Sequence, residues 1–229
     1  MDEELPRGYA DDRGLNRLLA FSDGVFAIAI TLLILTIDIP EVPPADPDKL
    51  GSFLRILAPE FLSFCISFAV VGLYWISHHR KFRYIKRYDE GLLWLNLLFL
   101  FAVVILPFPT EVIGDYSDQP AAMVLYGGSL AFAGFCAAGL WWYAAGSFRL
   151  VDRTDLSEHE VRSSLLYSLA PAFIFLASAG IAFVHVGLAQ FLWFLPLPIY
   201  IGIELSRHRA RKRLDAERRA TRGQATRPG

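Results

Sequence analysis

The sequence predicts an all-α, polytopic integral membrane protein. Of its 229 residues, 54% are hydrophobic and only 20% are charged, and the mean hydropathy is +0.38. This composition is too apolar for an ordinary soluble domain. The apolar residues also form long continuous runs, whereas a membrane β-barrel requires alternation in pieces of about ten residues. Composition and run length therefore both indicate helices that cross a bilayer.

Six apolar runs account for the predicted membrane spans. A spanning helix needs about 20 mostly apolar residues, because the hydrocarbon core is about 30 Å thick. The runs are residues 18–39, 57–77, 91–113, 121–146, 164–184 and 188–205. The last run is short and contains Pro196 and Pro198. Six transmembrane helices are predicted, and five helices with a re-entrant C-terminal segment are the alternative.

The distribution of basic residues predicts the orientation. Twenty Lys and Arg residues lie on one side of the six-span topology and two on the other. By the positive-inside rule, both termini are expected in the cytoplasm. We therefore expect a multi-pass protein of the cell membrane with a transmembrane domain over residues 1–205. Residues 206–229 are expected to form a basic cytoplasmic tail that is partly disordered.

Several functional classes are disfavoured by the composition. A net charge of -1 gives no reason to expect a nucleic-acid partner. Cys65 and Cys136 both lie inside apolar runs, so neither a disulfide framework nor a cysteine zinc cluster is indicated. No nucleophile, base and metal-ligand set gathers at one membrane level, so the sequence predicts neither an enzyme nor a bound cofactor.

The first run contains polar residues that need an explanation. An Asp at membrane depth is costly unless it is paired or hydrated, and Asp23 is such a residue. Arg17 lies six residues earlier, about 240° around the helix, so the two side chains cannot simply pair. Each therefore needs a partner from another span. Candidate partners at the same membrane level are His78 or His79 and Asn96, which together with Ser22 and Asp23 would form one polar cluster.

The same residues allow a second interpretation. His78 and His79, together with Asp23, are candidates for binding a metal or relaying protons. Adjacent histidines on a helix point roughly 100° apart and chelate poorly, so we expect no metal site. A structural polar cluster is the preferred interpretation, and a proton relay remains open.

The polar residues also carry a resemblance to a known family. The signature Arg-x-x-x-Phe-Ser-Asp-Gly is met by Arg17, Phe21, Ser22, Asp23 and Gly24. The likeness continues in Trp75-x-x-His78-His79 and in residues 96–101 and 106–110. Over about the first half of the chain, the sequence resembles the transmembrane protein 175 family of potassium channels.

The resemblance implies a potassium-selective cation channel built from six-helix units, whose first helices line a central pore. One signature per chain implies a homotetramer in a lipid bilayer, with monovalent cations as the permeant ions. Carried over by position, the pore-facing residues are Ile28, Thr31, Leu32 and Leu35. The structural network is expected to contain Arg17, Phe21, Ser22, Asp23, Gly24, Trp75, His78, His79 and Asn96.

Selection in such a pore must come from side chains. The chain lacks the Thr-Val-Gly-Tyr-Gly filter whose backbone carbonyls replace the hydration shell of potassium. Four copies of Ile28 are expected to form a hydrophobic constriction that removes water from the ion, with Thr31 hydroxyls one turn away. The prediction is a leak-type potassium channel that selects ions by dehydration. A proton-permeable channel or a secondary ion transporter is the alternative.

Overall fold

A computed structural model describes residues 7–37, 51, 54–55, 57–146, 149–152, 154, 156–196, 198, 200 and 202, and the side chains among them from residue 13 onward. Regular structure in this part of the chain is helical, apart from an isolated bridge between Ile85 and Val151. The elements are α1 (Arg7–Leu32), a 3₁₀ segment (Leu33–Thr36), α2 (Ala58–Phe82), α3 (Glu90–Val104), α4 (Pro107–Asp115), α5 (Pro120–Ala145), α6 (Glu158–Ile181) and α7 (Val186–Leu192).

Five segments are long and apolar enough to cross a membrane. They are Arg13–Thr36, Ala58–Phe82, Glu90–Asp115, Pro120–Ala145 and Glu158–Ile181. The predicted all-α polytopic fold is therefore confirmed, with the first five runs placed within a few residues. Of the sixth run, 188–205, the structure describes the end of the seven-residue helix α7 and a few residues beyond it. The choice between five and six spans, and the predicted tail over 206–229, depend on residues outside the described ranges.

The third span consists of two helices in succession. α3 ends at Val104, and α4 begins at Pro107, which stands at the first helical position. Proline has no backbone N–H to donate to the preceding turn, so the hydrogen-bond ladder is interrupted here. The prediction of one span over residues 91–113 is confirmed by the candidate span Glu90–Asp115, which contains this interruption.

The centre of the protomer is α5. Of its most apolar stretch, 56% is buried, a larger share than in any other described span. Its glycines allow α6 to approach closely: a Cβ at Gly134 would lie 2.8 Å from Ala172 Cβ, and one at Gly127 would lie 2.9 Å from the carbonyl oxygen of Phe175. Small residues at such crossings permit the close packing that stabilises membrane helices. α5 and α6 therefore form the scaffold of the protomer.

The two loops on the predicted cytoplasmic side are held together by Asp89. Its Oδ1 caps α3 by accepting from the Leu92 N–H at 2.9 Å, and its Oδ2 accepts from Tyr143 Oη and Arg149 Nη2, both at 2.9 Å. Desolvation alone would raise the pKa of Asp89, but the bonds from Leu92, Tyr143 and Arg149 and the charge of Arg149 hold that pKa below its ordinary value. These contacts fix the loop that follows α2.

Candidate pore face and its polar anchor

One face of α1 packs into the protomer. Ser22, Phe26, Ala29 and Leu33 are between 0% and 3% exposed. Their spacing of three to four residues places them on one side of a helix. Phe26 contacts the Phe99 ring of α3, with the ring centroids 5.7 Å apart. This face therefore attaches α1 to the body of the protomer.

The opposite face of α1 is open in the protomer. It contains the four residues that the resemblance assigns to the pore: Ile28 is 62% exposed, Leu35 is 74%, Leu32 is 39%, and Thr31 is also exposed. The part of the chain that the structure describes does not cover these side chains. A long apolar face of this kind must contact either lipid or another copy of the protein.

Thr31 is the hydroxyl-bearing residue of this exposed set. Its Oγ1 lies 3.0 Å from the Ala27 carbonyl oxygen and 2.9 Å from that of Ile28, so the hydroxyl proton is donated back to the helix. Threonine commonly satisfies its donor in this way within membrane helices. The lone pairs of the oxygen consequently remain available on the exposed face, where they can approach a cation.

The first helix changes its geometry within the set of residues that the resemblance assigns to the pore. α1 ends at Leu32, and Leu33–Thr36 form a 3₁₀ segment in which Leu33 and Thr36 are buried. A 3₁₀ helix has three residues per turn, so Leu35 departs from the α-helical line through Ile28 and Thr31. Ile34, at 50% exposure, joins Leu35 on the open face. The 3₁₀ turn therefore changes the angular position of Leu35 relative to Ile28 and Thr31 and leaves Leu35 on the open face.

Three buried polar side chains link the first three spans. Asn96 of α3 donates through Nδ2 to Ser22 Oγ at 3.0 Å, and its Oδ1 lies 2.9 Å from His78 Nε2 of α2. Ser22 donates in turn to the Leu18 carbonyl at 2.9 Å. All three side chains are at most 3% exposed. The structure thus brings together Ser22, His78 and Asn96, a set that the sequence placed at one level.

His78 is enclosed by aromatic rings. The rings of Phe26, Phe82 and Phe99 lie within 5.8 Å of it, centroid to centroid, and its Nδ1 has no hydrogen-bond partner among the described residues. Because Asn96 Oδ1 can only accept, the His78 Nε2 atom must carry the proton. Among the described residues, no group of three or more His, Cys, Asp and Glu side chains could hold a metal ion.

Asp23 makes a second link between α1 and α2. Its Oδ1 accepts from Trp75 Nε1 at 2.8 Å, and the Trp75 ring lies 5.7 Å from that of His79. Arg17, Phe21 and Gly24 are exposed, and among the described residues no hydrogen bond connects them to this network. The predicted network therefore has a buried part around Asn96 and a half-exposed part around Asp23. The other three residues of the signature remain on the open face.

The sequence did not single out Lys81 as a buried residue. Lys81 is 6% exposed, and its Nζ donates to Ser168 Oγ of α6 at 2.5 Å. It was grouped with the basic residues of the loop that follows. The spacing contains a signal, since Tyr74, His78 and Lys81 fall on one face of α2, and that face is buried.

Fold and site define the class: a multi-span, all-helical membrane protein whose first helix is anchored on one side and open on the other. Comparison with known proteins then identifies the family. The family described as "Endosomal/lysosomal potassium channel TMEM175" matches residues 17–107. A potassium channel of Chamaesiphon minutus is 36% identical over 191 residues, which cover 82% of this chain and 93% of the relative. One of Streptomyces collinus is 35% identical over 200 residues, covering 80% and 93%. The chain belongs to the TMEM175 family.

Solved structures agree with this assignment. The crystal structure of a lysosomal potassium-selective TMEM175 homologue from Chamaesiphon minutus matches with a TM-score of 0.72 and 33% identity, covering 84% of this chain and 98% of that one. A potassium channel MtTMEM175 variant matches with a TM-score of 0.57 and 25% identity, covering 83% and 93%. The recognised resemblance is confirmed, and the family is one of ion channels rather than enzymes.

Proposed function

We propose that this protein is a potassium-selective channel whose pore is lined by the open face of α1 from four copies of the chain. The observation that carries the proposal is the division of α1 into a packed face and an exposed face that contains Ile28, Thr31, Leu32 and Leu35. Two relatives that match 82% and 80% of the chain are both named potassium channels. One family signature per chain supports a homotetramer.

In the proposed pore, Ile28 forms the constriction. Four isoleucine side chains make an apolar ring that a hydrated ion passes only after it loses water. Potassium holds its water less tightly than sodium, so the ring penalises sodium more. The same apolar ring can close the pathway by dewetting. Discrimination should be moderate, because few fixed ligands replace the lost water.

Thr31 and the leucines complete the pathway. The Thr31 oxygen, whose proton is donated to the helix backbone, returns one ligand per chain to the ion near the constriction. Leu32 and Leu35 extend the apolar lining through the turn where the helix tightens. In four copies, these leucines keep the path narrow without binding the ion, which favours rapid exit of the ion.

The polar contacts hold the pore helix in place. Ser22, Asn96 and His78 fix the rotation of α1 against α2 and α3, and Asp23 with Trp75 adds a second point of attachment. Rotation of α1 would move Ile28 away from the axis. These residues are therefore proposed to determine the register of the pore rather than to contact the ion, and no cofactor is needed.

The proposed location is the cell membrane, with both termini in the cytoplasm. The support is the excess of Lys and Arg residues on one side of the six-span topology. This orientation places Asp89 and Arg149 on the cytoplasmic side. Single cysteines in the tail and at position 118, tested with an impermeant thiol reagent in cells, would determine it.

The proposed function is tested with purified protein in liposomes that contain a potassium gradient. Addition of a proton ionophore allows potassium efflux to drive proton entry, which a pH dye reports. The expected result is a flux that depends on the protein and is several-fold slower when sodium replaces potassium. Equal rates in the two salts, or obligatory coupling to a second ion, would contradict the proposal.

Proton permeation is the second candidate function. Endosomal/lysosomal TMEM175 of Bos taurus, which is named a proton channel, is 42% identical over 110 residues; these cover 45% of this chain and 23% of the relative. The family model matches residues 17–107, which contain the signature of α1. Proton entry without ionophore, driven by a pH gradient in potassium-free liposomes, would support this candidate.

A further inference from the structure

A buried cation lies between α2, α5 and α6. Lys81 Nζ donates to Ser168 Oγ and stands 5.9 Å from the centroid of the Trp141 ring. Among the described residues, no carboxylate forms an ion pair with it. A lysine at this depth is expensive unless an anion or water compensates it. Ser168 and Trp141 supply one hydrogen bond and one ring face, and neither carries charge.

A cleft begins at the serine that Lys81 contacts. Two of its walls are eight-residue segments of the antiparallel helices α2 and α6, each about 10 Å long at about 1.5 Å per residue. The space measures about 460 Å³, counting its open side. The wall residues include Val70, Tyr74, Ser77, Ser168, Pro171 and Phe175. Hydroxyl groups stand at the Ser77–Ser168 end, whereas the Val70–Phe175 end is apolar.

A second cation stands at the polar end of the cleft. The Arg80 guanidinium lies over the ring of Tyr200, 5.7 Å from its centroid, and Tyr200 itself lines the cleft. Arg80 and Lys81 are the last basic pair before α2 ends at Phe82. The cleft therefore has a hydroxyl-lined end that lies close to two cations near the end of α2, and an apolar shaft, lined by Val70, Leu73 and Phe175, that leads toward the middle of the span.

We propose that this cleft binds one anionic phospholipid, with an acyl chain in the shaft and the phosphate beside Arg80, Ser168 and Lys81. Charge complementarity favours this occupant, because basic pockets between membrane helices on the cytoplasmic side bind acidic head groups. The second acyl chain stays in the bilayer, which a site at the membrane boundary permits. The proposed lipid site does not depend on the proposed pore. The proposed orientation of the chain is needed only to say that the lipid belongs to the cytoplasmic leaflet.

The test is native mass spectrometry of the purified full-length protein titrated with phosphatidylglycerol and, separately, with phosphatidylcholine. Wild-type protein should bind phosphatidylglycerol more tightly, with a limit of one strongly held lipid per chain. Lys81→Met keeps the bulk and removes the charge. It should weaken phosphatidylglycerol binding about tenfold, the effect of losing one charge-assisted contact.

Two further variants make the result specific. Leu73→Trp fills the shaft without altering any charge and should weaken binding to a similar degree. Arg83→Met removes an exposed cation one turn beyond Arg80 and should change binding less than twofold. Equal binding of the two lipids, or wild-type affinity in both Lys81→Met and Leu73→Trp, would overturn the proposal. Tighter binding of free oleate, with displacement of phosphatidylglycerol, would also overturn it.

Discussion

The spans α1 and α6 are equally buried but expose different residues. In each, 22% of the most apolar stretch is buried. The exposed side of α6 carries Leu166, Phe173 and Leu176, with Tyr167 within the span and Arg162 near its start. The exposed side of α1 carries Thr31 within the apolar stretch and Arg17 at its end. Neither exposure nor an exposed polar group therefore identifies a pore face, and what distinguishes α1 is that the family model matches it and does not extend to α6.

The two helices are also attached differently. α6 packs through small residues against α5, where Ala172 meets Gly134. α1 is held near its Ser22 end by hydrogen bonds to α2 and α3. Hydrogen bonds also join α6 to α2 at Ser168 and to α5 at the Val161 carbonyl, so both helices have a defined rotation, and that of α1 leaves the residues assigned to the pore exposed. α1 consequently has the defined rotation that a ring of pore side chains requires.

The largest expected effect comes from making the open face of α1 polar. Ile28→Asn should raise potassium conductance several-fold and shift the reversal potential under potassium–sodium gradients toward zero, because asparagine no longer forces the ion to lose water. Recordings in planar bilayers measure both quantities. Leu176→Asn makes the matched change on α6 and should alter neither one. Equal effects from the two variants would remove the distinction between the helices.

The buried hydrogen bonds should provide the next largest effect. Asn96→Leu leaves Ser22 and His78 without their partner inside an apolar core, which should destabilise the fold by about 2–4 kcal/mol. A fall in the unfolding temperature in detergent is the readout. Leu97→Ala, at an exposed position of α3, is the control and should cost less than about 1 kcal/mol. A stable Asn96→Leu protein would show that the cluster does not fix α1.

Asp23 should influence assembly rather than ion preference. Asp23→Ala removes the acceptor of Trp75 Nε1 and should weaken attachment of α1 by about 1–2 kcal/mol. The tetramer fraction on size-exclusion chromatography should fall. Trp75→Phe should produce the same loss, and the assembled channels should keep the wild-type reversal potential. A changed ion preference in fully assembled Asp23→Ala protein would assign Asp23 to the pathway instead.

The smallest effect concerns the loop contact around Asp89. The fold lowers the pKa of the Asp89 carboxyl group. The stability that this carboxylate gives to the fold is therefore complete above the ordinary pKa of about 3.9, and it is lost as the pH falls through the lower pKa of the folded state. Asp89→Asn should cost about 1 kcal/mol near neutral pH. The variant should also show a weaker loss of stability on acidification than wild-type protein. Identical acid unfolding curves would contradict this role.

The sequence predicted the architecture well because the requirement for an apolar span is nearly independent of tertiary contacts. It also placed Ser22, His78 and Asn96 at one membrane level, since a buried polar residue in a span needs a partner. The interruption before Pro107 and the 3₁₀ turn after Leu32 were not predicted, because the length of an apolar run does not report local changes in helix geometry. Lys81 was misplaced because a basic residue at a helix end looks the same in sequence whether it points to water or to Ser168.

The most direct test of the pore face uses a metal that thiols bind strongly. In a background with Cys65 and Cys136 replaced, Thr31→Cys places a thiol on the open face of α1, and Phe173→Cys places one on α6. If α1 lines the water path, micromolar cadmium should block potassium current reversibly in the first variant and leave the second unaffected. Conducting Thr31→Cys channels that cadmium does not block would contradict the assignment of α1 to the pore.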